Sequence, residues 1–197
     1  RISPMKASPP SLIADNLACR RGERVLFRRL SFRLEAGAAC HVTGANGAGK
    51  TTLIRAVAGL TTPYAGEVRR EGALALLDER TGLDPDLPLG RALAFWAKID
   101  AGGHLALESC CDRLGLGNLL DVPVRYLSTG QKKRAALARV LGQTAPVWLL
   151  DEPLSGLDTA SQALVSTLVR EHCDGGGIAL IASHQPLDVP GMTAFAI

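Results

Sequence analysis

The chain has 197 residues, 47% hydrophobic and 21% charged, with a net charge of +3. That balance supports a packed core and excludes general disorder, while the mild basic excess is too weak to define a nucleic-acid binder. No apolar run reaches the about 18 residues of a membrane-spanning helix, so any membrane role needs a partner that spans it.

Residues 1–10 are rich in Pro and Ser and lack an apolar h-region, so they read as a flexible leader, with Met5 a candidate start. The remainder, 11–197, is expected to form one domain. Strand patterns cover 11–18, 24–34 and 66–77, punctuated by Gly22, Gly37 and Gly72. A short apolar strand, AACHVT (38–43), runs into GANGAGKTT, and LIRAVAGL (53–60) has helical spacing. Helical segments follow near 89–99 and 105–114, and another begins after LSTG (127–130). Strand then alternates with helix over 146–152, 159–172 and 176–183, which predicts an α/β chain with a mostly parallel sheet. The block 83–145 reads as a helical insertion into it. The five cysteines are odd in number and lack C-x-x-C spacing, so they read as reduced core residues, Cys110–Cys111 included.

Gly44 to Thr51, GANGAGKT, fits G-x-x-x-x-G-K-[ST] between an apolar strand and a helix. Gly44, Gly47 and Gly49 let the backbone curl so that successive N–H groups face one anion. Ala45, Asn46 and Ala48 complete the loop, and Lys50, Thr51 and Thr52 open a helix whose positive end adds to the attraction. Lys50 is placed to reach the β- and γ-phosphates of ATP, and the Thr51 hydroxyl to ligate Mg²⁺. VWLLDE (147–152) is an apolar strand ending in carboxylates, at the sheet edge where ligands bind. Asp151 could hold Mg²⁺ through water and Glu152 could polarise the attacking water. His184, in SHQ after the next strand, is expected at the same edge, within reach of the γ-phosphate.

With LSTGQ (127–131) and SGLD (155–158), these motifs resemble the ATP-binding cassette family over residues 44–185. The resemblance implies a P-loop NTPase with an N-terminal antiparallel β subdomain, a parallel core and an inserted helical subdomain at about 83–145. It also implies a homodimer that clasps two ATP molecules head to tail. Ser128, Gly130 and Gln131 would face nucleotide held by the opposite subunit, and Asp158 would belong to the loop crossing the dimer. LSTGQ also reads as a simple helix N-cap. LFRRLSFRLEAG (26–37), VTGANGAGKTTLIRAVAGL (42–60) and GGIALIASHQPLDV (176–189) are similar to the haem exporter ATPases of bacterial cytochrome c maturation. That narrower likeness implies a transport-coupled ATPase, peripheral on the cytoplasmic face of the inner membrane and bound to integral membrane subunits. Alternatives of other classes are a soluble ATPase of the same family acting on ribosomes or DNA, and a nucleotide-binding module with little turnover.

The chain departs from the family pattern twice. Where an aromatic residue usually stacks on adenine, Arg21 occupies the position, with Phe27 a second candidate. Where a Gln usually touches metal and water, LLDERTGLD (76–84) offers Asp78, Glu79 or Arg80, or equally reads as a plain turn at the sheet edge. The basic run at 132–134, with Arg139, lacks interleaved aromatics and reads as a solvated face, with no nucleic-acid partner expected.

Overall fold

The structure, a computed structural model, describes residues 8–100 and 107–197. The expected leader up to residue 7, Met5 included, and residues 101–106 lie outside the described residues. Two sheets form. An antiparallel sheet of order β2-β1-β4 is built from β1 (Ser11–Arg21), β2 (Arg24–Glu35) and β4 (Ala65–Glu71). The central sheet has the order β5-β6-β7-β3-β8, from β3 (Ala39–Thr43), β5 (Leu74–Leu77), β6 (Val147–Asp151), β7 (Ile178–Ala182) and β8 (Thr193–Ala196). All of its neighbouring strands run parallel.

Strands β6 and β7 are buried at every position, which is why they read as unbroken apolar runs instead of alternating ones. Alternation still governs which side each residue serves. Val147, Leu149, Ile178 and Leu180 pack with Leu53, Ile54 and Val57 of α1 (Lys50–Ala58) and with Leu12 and Leu17 of the antiparallel sheet. Trp148, Leu150, Ala179 and Ile181 face the other way, toward four helices: α2 (Leu89–Ile99), α3 (Leu107–Arg113), α4 (Thr129–Gly142) and α5 (Thr159–Asp174). The parallel sheet is therefore a middle layer between two cores. All five cysteines are buried free thiols, as the spacing indicated.

The expected strand over 66–77 is two strands in different sheets, β4 and β5. The break falls at Gly72, where φ is 102° and a Cβ would lie 2.9 Å from the Pro146 ring. The chain changes sheets there because only glycine tolerates both that φ and that approach. Strand β8 was not anticipated; it adds to the edge beside β3 with Val42 opposite Phe195. Among the described residues no helix is long and apolar enough to cross a membrane.

Candidate functional site

Because the central strands are parallel, their C-terminal ends share one edge. There β3 runs into Gly44, β5 into Asp78, β6 into Asp151 and Glu152, and β7 into Ser183 and His184. Asp78 lies one step past the pair Leu77–Leu150, beside Asp151. Loop and carboxylates open onto one cleft of about 340 Å³, walled by Asn46, Lys50, Thr51, Glu79, Asp151 and Glu152 among others.

The predicted phosphate loop has the backbone its glycines suggested: φ is 149° at Gly44, 79° at Gly47 and 119° at Gly49. Gly49 caps α1 without a side-chain hydrogen bond, so the first amides of the helix keep their donors for a ligand. A Cβ on Gly49 would lie 3.1 Å from Leu26 and 3.3 Å from Phe27. Phe27 therefore backs the loop instead of facing the cleft, and Arg21 is the residue at the expected base position that lines it. Lys50 is buried, and its ammonium donates to the carbonyls of Gly44 at 2.8 Å and Ala45 at 3.3 Å. Those bonds hold the cation over the curl of the loop.

Asp151 is 2% exposed, and its Oδ1 has no hydrogen-bond partner. Burial pushes its pKa up; the Thr51 hydroxyl opposes that, and the Asp78 and Glu152 carboxylates add to it. A buried carboxylate oxygen without a donor, next to a threonine hydroxyl, fits a hydrated hard cation. Glu152 has φ 46°, a left-handed conformation that costs a non-glycine residue about 1–3 kcal/mol. Its amide donates to the Ala182 carbonyl at 2.7 Å, which ties the strained residue to the end of β7. Its Oε2 lies 2.8 Å from His184 Nδ1 and 3.4 Å from the His184 amide. His184 thus reaches Glu152, and it does not itself line the cleft within one chain.

In the slot after β5, Asp78 accepts from Arg55 of α1 at 2.8 Å and from the Glu79 amide at 2.7 Å. Glu79 lines the cleft, and Arg80 does not. The basic run on α4 diverges, against the expectation of a uniformly solvated face. Lys132 donates to the Arg125 carbonyl at 3.4 Å and Arg134 to the Leu114 carbonyl at 2.8 Å, while Lys133 turns into the cleft. Arg139 stacks 3.6 Å from the Trp96 ring centre and pairs with Asp100. The sequence pointed to neither Arg55 nor Lys133: both look like ordinary surface cations until α1 and α4 are packed on the sheet.

Ser128 caps α4: its Oγ accepts from the Gln131 amide at 3.2 Å, and Gln131 Oε1 accepts from the Ser128 amide at 2.8 Å. That capping box explains the helix start and occupies the Gln131 side chain. Asp158 likewise caps α5, accepting from the Ser161 amide at 2.8 Å, a bond that holds its carboxyl below the usual range. Ser128, Gly130, Gln131 and Asp158 line a second concavity, which shares no residue with the phosphate cleft. Gly130 and Gly156 touch there: a Cβ on Gly130 would lie 2.8 Å from the Gly156 carbonyl.

The ABC transporter family model matches residues 27–155. The chain belongs to the ATP-binding cassette family, and it is an ATPase of that type. A protein of Novosphingobium aromaticivorans called cytochrome c biogenesis ATP-binding export protein CcmA is 54% identical over 186 residues, covering 94% of this chain and 95% of the relative. A protein of the same name from Sphingopyxis alaskensis is 48% identical, covering 92% and 93%. One from Rhizobium meliloti is 39% identical, covering 91% and 94%. Among solved structures, a dimeric ATP-binding cassette in a post-hydrolysis state with ADP and Pi matches with a TM-score of 0.77 at 19% identity, covering 88% of each chain. A bacterial Atm1-family ABC exporter with ATP bound matches at 0.78 and 22%, covering 92% of this chain and 35% of that one. At those identities the solved structures establish the fold.

Proposed function

We propose that two copies of this chain clasp two ATP molecules between them and drive an export step of cytochrome c biogenesis. The observation that carries the dimer reading is the separation of two half-sites. Lys50, Thr51, Asp151 and Glu152 share one cleft, while Ser128, Gly130 and Asp158 share another. A second copy, turned head to tail, brings the second surface against the first. The narrower assignment is supported by the shared name and near-complete coverage of the relatives. Haem, or a haem–chaperone adduct, is the proposed cargo. Integral membrane subunits at the cytoplasmic face of the inner membrane are the proposed partners.

In the proposed mechanism the free amides after Gly49 and the Lys50 ammonium bind the β- and γ-phosphates. Thr51 and the unpartnered oxygen of Asp151 would hold Mg²⁺, which would offset phosphate charge as the terminal P–O bond breaks. Glu152 orients the attacking water by accepting a hydrogen bond from it, as the water oxygen bonds to the γ-phosphorus and the β–γ bridging oxygen leaves with ADP. His184, bonded to Glu152 through Nδ1, fixes the carboxylate, while its Nε2 lies 3.5 Å from Gln185 Nε2. Ser128 and Gly130 of the second copy complete the γ-phosphate contacts from a helix N-terminus.

The test is genetic and chemical together. Deleting the gene should remove haem-stained c-type cytochromes from membranes, and wild-type protein but not Glu152→Gln should restore them. Persistent haem staining in the deletion would sink the cytochrome assignment and leave the ATPase assignment standing.

A further inference from the structure

The metal-facing end of the cleft is crowded with negative charge. Asp78 and Asp151 end adjacent parallel strands, about 4.8 Å apart, and Glu79 and Glu152 follow them directly. The cations nearby are divided. Arg55 is committed to Asp78 at 2.8 Å, and Lys50 is held over the phosphate loop by the Gly44 and Ala45 carbonyls. Lys133 enters the cleft from α4 and lines it with Glu79, Asp151 and Glu152, and Arg21 at the end of β1 lines it too.

Lys133 is half-buried and shares the cleft lining with Glu79, Asp151 and Glu152, with Asp78 next to Asp151 on the adjacent strand, and it closes an ion pair with none of them. Burial holds its pKa below the ordinary lysine value, and Asp151, Glu152, Glu79 and Asp78 oppose that shift without cancelling it. Its neighbours on the helix show that the direction is specific. Lys132 and Arg134 are each spent on backbone carbonyls away from the cleft. Asp151 Oδ1, buried and without a donor, shows that the cluster is built to meet a cation.

We propose that Lys133 is the internal counter-ion of this cluster: it screens the four carboxylates while no divalent cation is bound and opposes that cation when it arrives. The proposal rests on the reading that Asp151 faces the metal. It also gives the slot where a Gln was expected a different partner. Asp78 is balanced from α1 by Arg55, and Glu79 from α4, the helix that carries Gly130 and is capped by Ser128. Metal entry therefore pushes on the same helix that serves the opposite nucleotide. A unit charge and a divalent cation about 8 Å apart in a water-like medium repel by about 1 kcal/mol, a factor of about five in affinity.

The test uses the full chain without nucleotide. Melting temperature is measured in EDTA and across a Mg²⁺ titration for wild type, Lys133→Met and Lys133→Arg. Lys133→Met keeps the aliphatic stem and removes the charge. Across the titration it should show a half-saturating Mg²⁺ concentration at least about fivefold below wild type. Lys133→Arg should track wild type. Equal Mg²⁺ responses in wild type and Lys133→Met overturn the proposal. Adding Asp151→Asn to Lys133→Met separates the two readings. Loss of the enhanced response supports both, whereas its persistence keeps the counter-ion and removes Asp151 as the metal-facing group.

Discussion

His184 Nδ1 stands 2.8 Å from Glu152 Oε2, and the His184 amide approaches the same oxygen at 3.4 Å. Two residues 32 positions apart in sequence thus act on one carboxylate oxygen. Glu152 is already held by its left-handed φ of 46° and by the Ala182 carbonyl. Its side chain is fixed from the backbone below and from the imidazole beside it. Glu152→Gln should preserve ATP binding, accumulate the ATP-bound dimer and lower turnover by about 10²–10⁴-fold, the contribution of a positioned base. His184→Ala should lower kcat by a smaller factor, roughly tenfold to a hundredfold, with ATP affinity little changed. Single-turnover hydrolysis with chromatographic sizing reads both; an unchanged rate in Glu152→Gln removes it as the water-orienting group.

Lys50→Ala should weaken ATP binding by at least about tenfold, since charge-assisted hydrogen bonds contribute about 1.5–3 kcal/mol each. It also leaves the Gly44 and Ala45 carbonyls without the ammonium that now bridges them. Calorimetric titration with ATP measures the loss. Near-normal affinity would mean that the loop binds something else.

Gly130→Ala isolates the second half-site. Its Cβ would sit 2.8 Å from the Gly156 carbonyl, so the helix start and the SGLD loop must part. ATP binding to the isolated chain should hold within about twofold, because Gly130 does not line the phosphate cleft. Turnover of the dimer should fall by tenfold or more, roughly the loss of one or two phosphate contacts. If binding and turnover fall together, the two half-sites are not separate.

His172 gives a pH prediction away from the site. Its ring stacks on Trp148 with centroids 3.9 Å apart, and Nε2 lies 3.2 Å from the Ile178 carbonyl. Burial pushes its pKa below the ordinary value, against the pull of the Ile178 and Pro146 carbonyls. The unfolded chain therefore takes up a proton before the folded one does. Stability is fully present above the ordinary His pKa of about 6.5 and is lost as pH falls through the lower folded value, at no more than about 1.4 kcal/mol per pH unit for one proton. Denaturant midpoints between pH 7 and pH 5 should show that slope, and His172→Phe should reduce it. An identical slope in the variant assigns the effect elsewhere.

The site was legible where its chemistry lies in consecutive residues. GANGAGKT dictates its own backbone through its glycines, and VWLLDE ends a strand with its carboxylates in place. LSTGQ contains both halves of its capping box within four residues. The fold was less legible at 66–77, where one β pattern conceals a change of sheet at Gly72. Strand β8 was not read at all, being four mostly exposed residues whose partner β3 lies more than 150 positions earlier.

By itself, then, the order of residues determined the local parts of the candidate site: a glycine-rich loop, an acidic strand end and a capped helix, each set by local backbone preference and short-range hydrogen bonds. Only tertiary structure decided which charges meet. Arg55 reaches Asp78, Lys133 faces the carboxylates its neighbours ignore, and His184 closes on Glu152. The reason is physical: the direction of a long charged side chain is set less by its own sequence neighbours than by the packing of helices on a sheet and by which other charge is already satisfied.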